Sequence, residues 1–478
     1  MSLRCVVIGG GISGLAAAHR LLEVGRATSL PIDLTVLEAR PQLGGVIRTE
    51  SRDGFLLEHG PDSFLTEKPW ALDLCRRLGL ADELIQTQPG LRRSFIVHRK
   101  ELVPVPEGLR LMAGARLGPL LRSPLLSWPG KLRMAMEPLV PPSSDARDES
   151  LAQFVRRRLG REVLERIAQP MVGGIYTADP EALSLDAAMP RFRVMERRYG
   201  NLTNALRRSR RQRAGCVEAC GPRYSLFASL RGGMGRLIEA LEARVSAGCV
   251  KRASPAERLE PGEAWTIHMA DGRRLEADMV CVALPTHAAA RLLAGAAPDL
   301  SQRLSSIPYE TVLTVNLGYR KTDVPRRLEG FGFVVPIVEQ RPLVGCSFSS
   351  LKFAGRAPQD GVLVRAFVGG AMHRELTVLT DEAVQRVVQD ELRELLGVSA
   401  QPRCAAVHRH EQAMPQYHVG HLDRVASIEA AVQAVPGLYL TSNGLRGMGI
   451  PDCIDHAERT AEQMLGAALG LERGAWAA

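Results

Sequence analysis

A mixed chain is predicted, α/β in a nucleotide-binding part and α+β elsewhere, and three observations predict it. A strand, a glycine turn, a helix and a second strand open the sequence. A second glycine-rich strand-to-helix junction stands near its end, and between the two lie sheet-like alternation and irregular helical stretches. The opening unit is Arg4-Cys5-Val6-Val7-Ile8-Gly9-Gly10-Gly11-Ile12-Ser13-Gly14, then an apolar helix through Ala16 to Leu22, then Leu34-Thr35-Val36-Leu37-Glu38. Gly9 lets the chain turn sharply, Gly11 keeps no Cβ in the way of a pyrophosphate, and Gly14 lets the helix pack on the strand. The helix N-terminus aims its amides at the phosphates. Glu38 stands where a carboxylate accepts the hydroxyls of an adenosine ribose. Strand, helix and acid agree, so the reading is a Rossmann-like dinucleotide site.

FAD rather than NAD follows from Ala39-Arg40-Pro41-Gln42-Leu43-Gly44-Gly45-Val46. The pair Gly44-Gly45, just past the ribose acid, brings backbone to the cofactor a second time. Nicotinamide enzymes rarely carry such a pair; the arrangement is similar to that of amine-oxidase-type flavoproteins. Near the C-terminus, Gly437 to Asn443 reads as a strand that runs through Gly444-Leu445-Arg446-Gly447-Met448-Gly449-Ile450 into a helix opened by Pro451, a favoured first helical residue. The positive end of that helix suits the negative charge of a reduced flavin ring. The two ends of the chain thus hold the two ends of one FAD.

Composition narrows the remaining classes. At 478 residues the chain exceeds one typical core, so two or three substructures are expected. No apolar run reaches the roughly 18 residues of a spanning helix, and the first strand begins at once, which argues against a signal peptide. Nine scattered cysteines point to a reducing, cytoplasmic setting without a disulfide framework. Cys216 and Cys220 lack a second pair, and His408 and His410 alternate on a strand, so no metal is expected. The net charge of +9 fits an anionic partner. Its densest run, Arg207-Arg208-Ser209-Arg210-Arg211-Gln212-Arg213, has no interleaved aromatics and reads as a solvated loop; no nucleic-acid partner is expected.

The nucleotide domain reads as discontinuous: residues 1–86, 226–299 and 406–470. Residues 87–225 form a helical, membrane-facing lobe belonging to the substrate domain, and 300–405 its sheet. In the first segment of the lobe, strands cover 94–98 and 101–105. From 106 to 140, prolines interrupt a leucine-rich and basic amphipathic surface, which suits loose peripheral contact with a membrane. In the sheet, Thr311–Tyr319, Gly332–Pro336, Leu343–Ser347 and Val362–Val368 alternate, and a helix over Asp381–Leu396 closes the unit.

With these residues in view the chain resembles, over nearly its whole length, the oxygen-dependent protoporphyrinogen and coproporphyrinogen oxidases. The resemblance is carried by Glu58-His59-Gly60-Pro61-Asp62-Ser63-Phe64-Leu65, Gly174-Ile175-Tyr176-Thr177-Ala178-Asp179-Pro180, Ser229-Leu230-Arg231-Gly232-Gly233-Met234, Gly330 to Pro336, Met414-Pro415-Gln416-Tyr417-His418-Val419-Gly420-His421 and Gly449-Ile450-Pro451-Asp452-Cys453-Ile454. It implies a sheet-floored substrate domain with a helical insertion. It also implies three successive two-electron oxidations of a cyclic tetrapyrrole, with electrons passing through FAD to molecular oxygen. Cofactor contacts are implied at Gly9, Gly10, Gly11, Ile12, Ser13, Gly14, Glu38, Ala39 and Val46, and at Gly60, Pro61, Asp62 and Ser63. Others fall at Asn443, Met448, Gly449 and Ile450, with a backbone contact from Pro255 near the adenine. His410 stands where relatives place an aromatic beside the flavin, and Ser94 where many place a carboxylate-binding arginine.

Such a reaction ends in an aromatic ring and asks for no strong protein base, and no catalytic triad, zinc spacing or carboxylate pair is present. No catalytic acid or base is therefore assigned. What is required is a flat apolar slot against the flavin. Gly174 and Gly332 would allow close approach, and Val334, Phe348 and Phe367 would form walls. Arg92, Arg93, Arg191 and Arg193 are candidate partners for substrate propionates. The more basic the pocket, the better it suits the four propionates of coproporphyrinogen III over the two of protoporphyrinogen IX. A flavin amine oxidase, a carotenoid-desaturase-like enzyme and a non-catalytic flavin scaffold are the alternatives; monomer and homodimer both stay open.

Overall fold

The computed structural model describes residues 2–91, 93–106, 109–110, 113–114, 122–145, 147–214, 226–245, 248–326 and 328–470. Arg92, Cys216, Cys220 and most of 107–121 lie outside them.

Five parallel strands form the nucleotide sheet, in the order Val250–Lys251, Ile32–Leu37, Leu3–Ile8, Met279–Val282 and Leu438–Leu440. Strands from the start, middle and end of the sequence therefore build one sheet. Their apolar side chains are buried on both faces, as a parallel sheet between covering layers requires. The helices Ile12–Ala27 and Ile450–Ala468 pack against each other, and Ser13 hydrogen-bonds the thiol of Cys453 at their N-terminal ends. Both glycine junctions thus open on the same side of the sheet. Gly9 has φ +118°, and a Cβ on Gly14 would sit 1.8 Å from the Gly9 carbonyl oxygen, so only glycine serves at either place.

A seven-stranded sheet floors the second domain: Cys404–Pro415, Tyr309–Arg320, Gly361–Gly369, Leu343–Ser347, Gly332–Val334, Phe95–His98 and Glu101–Pro104. All neighbours are antiparallel except Gly332–Val334 with Phe95–His98. The strand of this sheet that comes last in the chain, Cys404–Pro415, runs past the boundary expected at 405. The two strands at 95–104, expected with the helical lobe, complete this sheet instead. The side-chain alternation of a strand decides what each face does. Leu313, Val315 and Leu317 pack with Val384, Val388 and Leu392 of the helix Asp381–Leu396. On the opposite face, Thr314 donates to the carbonyl of His59 and Asn316 to that of Glu58. That face looks at the nucleotide domain.

The lobe is helical, built on Leu151, Phe154, Val155, Leu164, Ile167 and Phe192. At its heart the fully buried Arg158 pairs with Glu137 and Glu196. Glu137 also accepts the N–H groups of Leu202 and Thr203. Those bonds correct one expectation, because the arginine run at 207–213 lies in the helix Leu202–Ala214. Glu137 and the Asn201 side chain, which accepts from Asn204 N at 2.7 Å, cap its first turn. Such a cap contributes about 1 kcal/mol, and arginine is a good helix former.

Candidate flavin and substrate site

At the mouth of the nucleotide sheet the two N-terminal glycine turns meet. Gly44 N donates to Gly10 O at 2.8 Å, and the ideal Cβ of Gly45 would lie 3.4 Å from the Gly11 Cα. A Cβ on Gly11 would meet only the Gly45 Cα, at 3.9 Å, so its open side faces no protein atom. The Glu38 carboxylate is fixed by two backbone donors, Gly10 N at 2.7 Å and Arg40 N at 2.8 Å. Gly11, Ser13, Gly45 and Val46 are partly or fully exposed here, beside the buried Gly9, Gly10, Ile12, Gly14 and Gly44. Ala39 is exposed beyond Glu38. Pro255 has no N–H to offer, and its carbonyl accepts from Ala270 N at 3.0 Å.

The segment Glu58–Ser63 lies between the two domains. Gly60 approaches the Val46 carbonyl so closely that a Cβ would stand 1.8 Å from its oxygen. Lys352 Nζ donates to both Asp62 oxygens, at 2.9 and 3.1 Å, and the Arg365 guanidinium lies 3.4 Å away. Burial would raise the Asp62 carboxyl, yet Lys352 and Arg365 hold it well below the usual carboxylate range. Arg365 also donates to Gly60 O at 2.7 Å. Glu58 differs: burial pushes its carboxyl up to about 7, against hydrogen bonds from Thr49 Oγ1 and Met234 N. Burial also lowers His59, His408 and His410, so this edge of the site carries neutral imidazoles. His410 Nε2 donates to His59 O at 2.8 Å, and its ring centroid is 4.6 Å from that of His408.

At the other end, Met448 and Gly449 are half-buried and Gly449 precedes the buried Ile450 and Pro451 at the start of the last helix. Asn443 is occupied across the domain boundary, accepting from the Tyr309 hydroxyl at 3.2 Å and donating to Ala413 O at 3.2 Å.

The expected slot residues divide. Gly174 is exposed, and a Cβ there would come 3.2 Å from Val334 Cγ1. Val334, Tyr176 and Met448 all pack against the lobe core while staying partly open, so both the sheet and the C-terminal turn border the lobe. Phe367 is half-buried on the sheet face of Thr314 and carries the Arg365 guanidinium 4.9 Å over its ring. Phe348 does not belong to the slot. It is 1% exposed and packs on Phe333 in the core beneath the sheet, because the chain turns into a short helix after Ser347. Gly332 serves its neighbour strand, since a Cβ would lie 2.0 Å from Cys346 O. Arg193 is buried in ion pairs with Glu149 and Asp186 and is no propionate partner. Arg93 and Arg191 are exposed, and Arg93 O anchors Phe331 N at the start of the Gly332–Val334 strand.

Sequence reasoning missed Lys352, Arg365 and Tyr309. One signal was present, a lone arginine inside the apolar run Val362-Leu363-Val364-Arg365-Ala366-Phe367-Val368.

Facing glycine turns, a fixed ribose-binding carboxylate and a second glycine turn under a helix N-terminus define a dinucleotide-dependent flavoprotein. The open side of Gly11 and Gly45 is space that a pyrophosphate fits and a side chain would fill. Residues 12–465 match the family of flavin containing amine oxidoreductases. The chain belongs to that family and, within it, to the porphyrinogen oxidases; it is an FAD-dependent oxidase. It is 34% identical to coproporphyrinogen III oxidase of Bacillus subtilis (strain 168), over 96% of this chain and 97% of the relative. It is 31% identical to the chloroplastic protoporphyrinogen oxidase of Nicotiana tabacum, over 97% and 86%. A crystal structure from Exiguobacterium sp. 255-15 superposes with a TM-score of 0.85 at 29% identity, covering 97% of this chain and 99% of the other.

Proposed function

We propose that the protein oxidises coproporphyrinogen III to coproporphyrin III in haem biosynthesis, with molecular oxygen as the final acceptor. The observation that carries this reading is the half-open apolar face where Gly174 meets Val334, with Phe367 on the same side of the sheet and Met448 against the same lobe core. Bound FAD supplies the two-electron acceptor and returns the electrons to oxygen as hydrogen peroxide. The chain's own part is to bind and orient. Gly9 to Gly14, Glu38, Ala39, Gly44 to Val46, Gly60 to Ser63 and Met448 to Ile450 hold the cofactor, with Pro255, His410 and Asn443 at its edges. Gly174, Val334 and Phe367 present an apolar surface to the macrocycle and keep water from its bridging carbons. Arg93 and Arg191 reach for propionates, where a guanidinium forks onto a carboxylate. No protein base is assigned: each two-electron oxidation releases one proton to solvent or a neighbouring carbonyl, and the porphyrin keeps two of the four pyrrole N–H groups.

Coproporphyrinogen is favoured over protoporphyrinogen by the exposed Arg93 and Arg191, read as propionate partners, and by the higher identity to the bacterial relative. The protein acts in the cytoplasm with loose peripheral contact to the membrane; no helix among the described residues is long and apolar enough to cross one. Turnover on the two porphyrinogens, compared at several salt concentrations, tests the substrate. A higher kcat/KM on the four-propionate substrate, falling with salt, is expected. Equal or better oxidation of protoporphyrinogen IX, insensitive to salt, sinks the assignment.

A further inference from the structure

The glycine turn 443–449 is gripped by two side chains that precede it, one of them, Tyr417, rooted in the lobe core. Tyr417, just past the sheet strand Cys404–Pro415, is 2% exposed. Its hydroxyl donates to Asn443 O at 2.5 Å and accepts the N–H of Gly447 at 2.9 Å. Its ring lies flat on His421, with centroids 3.9 Å apart and planes 16° from parallel. His421 Nε2 in turn donates to Leu445 O at 2.9 Å. Three backbone groups of one turn therefore end on a single aromatic stack. Burial raises the Tyr417 phenol and lowers His421, so both remain neutral donors at working pH. A second tyrosine, Tyr309, accepts Thr286 N at 3.1 Å and donates to the Asn443 side chain.

A glycine-rich turn has little conformational preference of its own, and each ordered residue costs about 1–2 kcal/mol of backbone entropy. Gly447 sits at φ +122°, two residues before the cap of the last helix. That helix offers a positive end, whose effect falls off within its first turn. An ill-fixed turn would let that end drift from the flavin.

We propose that Tyr417, stacked on His421, is a positioning residue for FAD, holding the Asn443–Gly447 backbone, and through it the helix start, against the ring and so raising the cofactor's reduction potential. The proposal rests on that turn facing the flavin. Tyr417→Phe keeps the ring on His421 and removes only the hydroxyl, leaving Gly447 N and Asn443 O without their partner. Loss of these two buried hydrogen bonds at the turn should weaken FAD binding about tenfold. FAD affinity is measured by reconstituting the flavin-free protein, and the midpoint potential by dye-coupled titration of the holoenzyme. The expected result is weaker binding and a more negative potential, with circular dichroism unchanged. Tyr417→Leu, which also removes the stack, should shift both further. A Phe variant with wild-type affinity and potential overturns the proposal, as does a lower thermal midpoint with the potential unmoved. A Phe variant with weaker FAD binding at unchanged potential keeps the cofactor site and overturns the positioning role. Wild-type protein that takes up no FAD overturns both.

Discussion

Two residues, one half-open and one buried, respond to change in different ways. Gly11 has an ordinary φ of −76°, and its missing Cβ would point into open space. Gly11→Val should therefore fold, with normal circular dichroism and thermal midpoint, yet fail to retain flavin because the side chain fills the pyrophosphate's place. Visible flavin absorbance of the purified variant checks this; stoichiometric FAD in folded Gly11→Val would refute the cofactor site. Glu58 makes a different test. Its carboxyl titrates at about 7 in the fold against an ordinary value of 4.5, so between these pH values the folded state holds a proton that the unfolded state has lost. Its stabilising contribution is complete below pH 4.5 and is lost as pH rises through 7. The loss is on the order of 3 kcal/mol. Glu58→Gln keeps the shape and a neutral hydrogen-bonding pair for Thr49 and Met234. The difference in urea stability between wild type and variant should therefore move against the wild type from pH 4.5 to pH 8. A difference that stays flat with pH would show that Glu58 is ionised throughout. Comparing the two proteins cancels the histidines, whose lowered values act in the opposite direction.

Elements were legible where the signal was local. The helix Asp381–Leu396 follows from Val384, Val388, Leu392 and Leu395 at helical spacing behind a Thr380 cap. Both glycine junctions were legible for the same reason, since strand, turn and helix are consecutive. The arginine-rich stretch 207–213 was not, because its helix depends on Glu137, far back in the sequence. Pairing between Phe95–His98 and Gly332–Val334 was equally hidden; alternation marks a strand but names no neighbour. The site divides in the same way. The cofactor turns could be read from spacing, whereas the Asp62–Lys352 bond joins residues 290 apart. Phe348 was misread because an aromatic at a strand's end faces either way until the next turn is known. Gly332 was misread because close approach to a neighbouring strand and to a ligand make the same demand on sequence.

At the scale of the whole molecule, the lobe presents a surface that neither domain covers. Trp128, Leu132, Met136 and Leu139 are 73, 65, 45 and 78% exposed. They recur every three or four residues along the helix Trp128–Ala135 and the turn Glu137–Leu139, so they share one side. Lys131 lies 4.8 Å over the Trp128 ring, Arg122 is exposed nearby in sequence, and the chain as a whole carries +9. An apolar stripe with a tryptophan and a basic surround suits the boundary of an anionic bilayer. Burying a leucine there contributes about 1.5–3 kcal/mol, enough for reversible attachment by a few side chains but not for insertion. The protein should sediment with vesicles containing phosphatidylglycerol, bind neutral vesicles more weakly, and be released in part by salt. Replacing Trp128, Leu132 and Leu139 together by serine should abolish sedimentation while leaving turnover in vesicle-free solution unchanged, because none of the three lies at the slot. If the triple variant still binds vesicles, the stripe is not the contact. If instead the wild type leaves anionic vesicles untouched while self-associating, and the serine variant does not self-associate, a second copy of the chain covers this face.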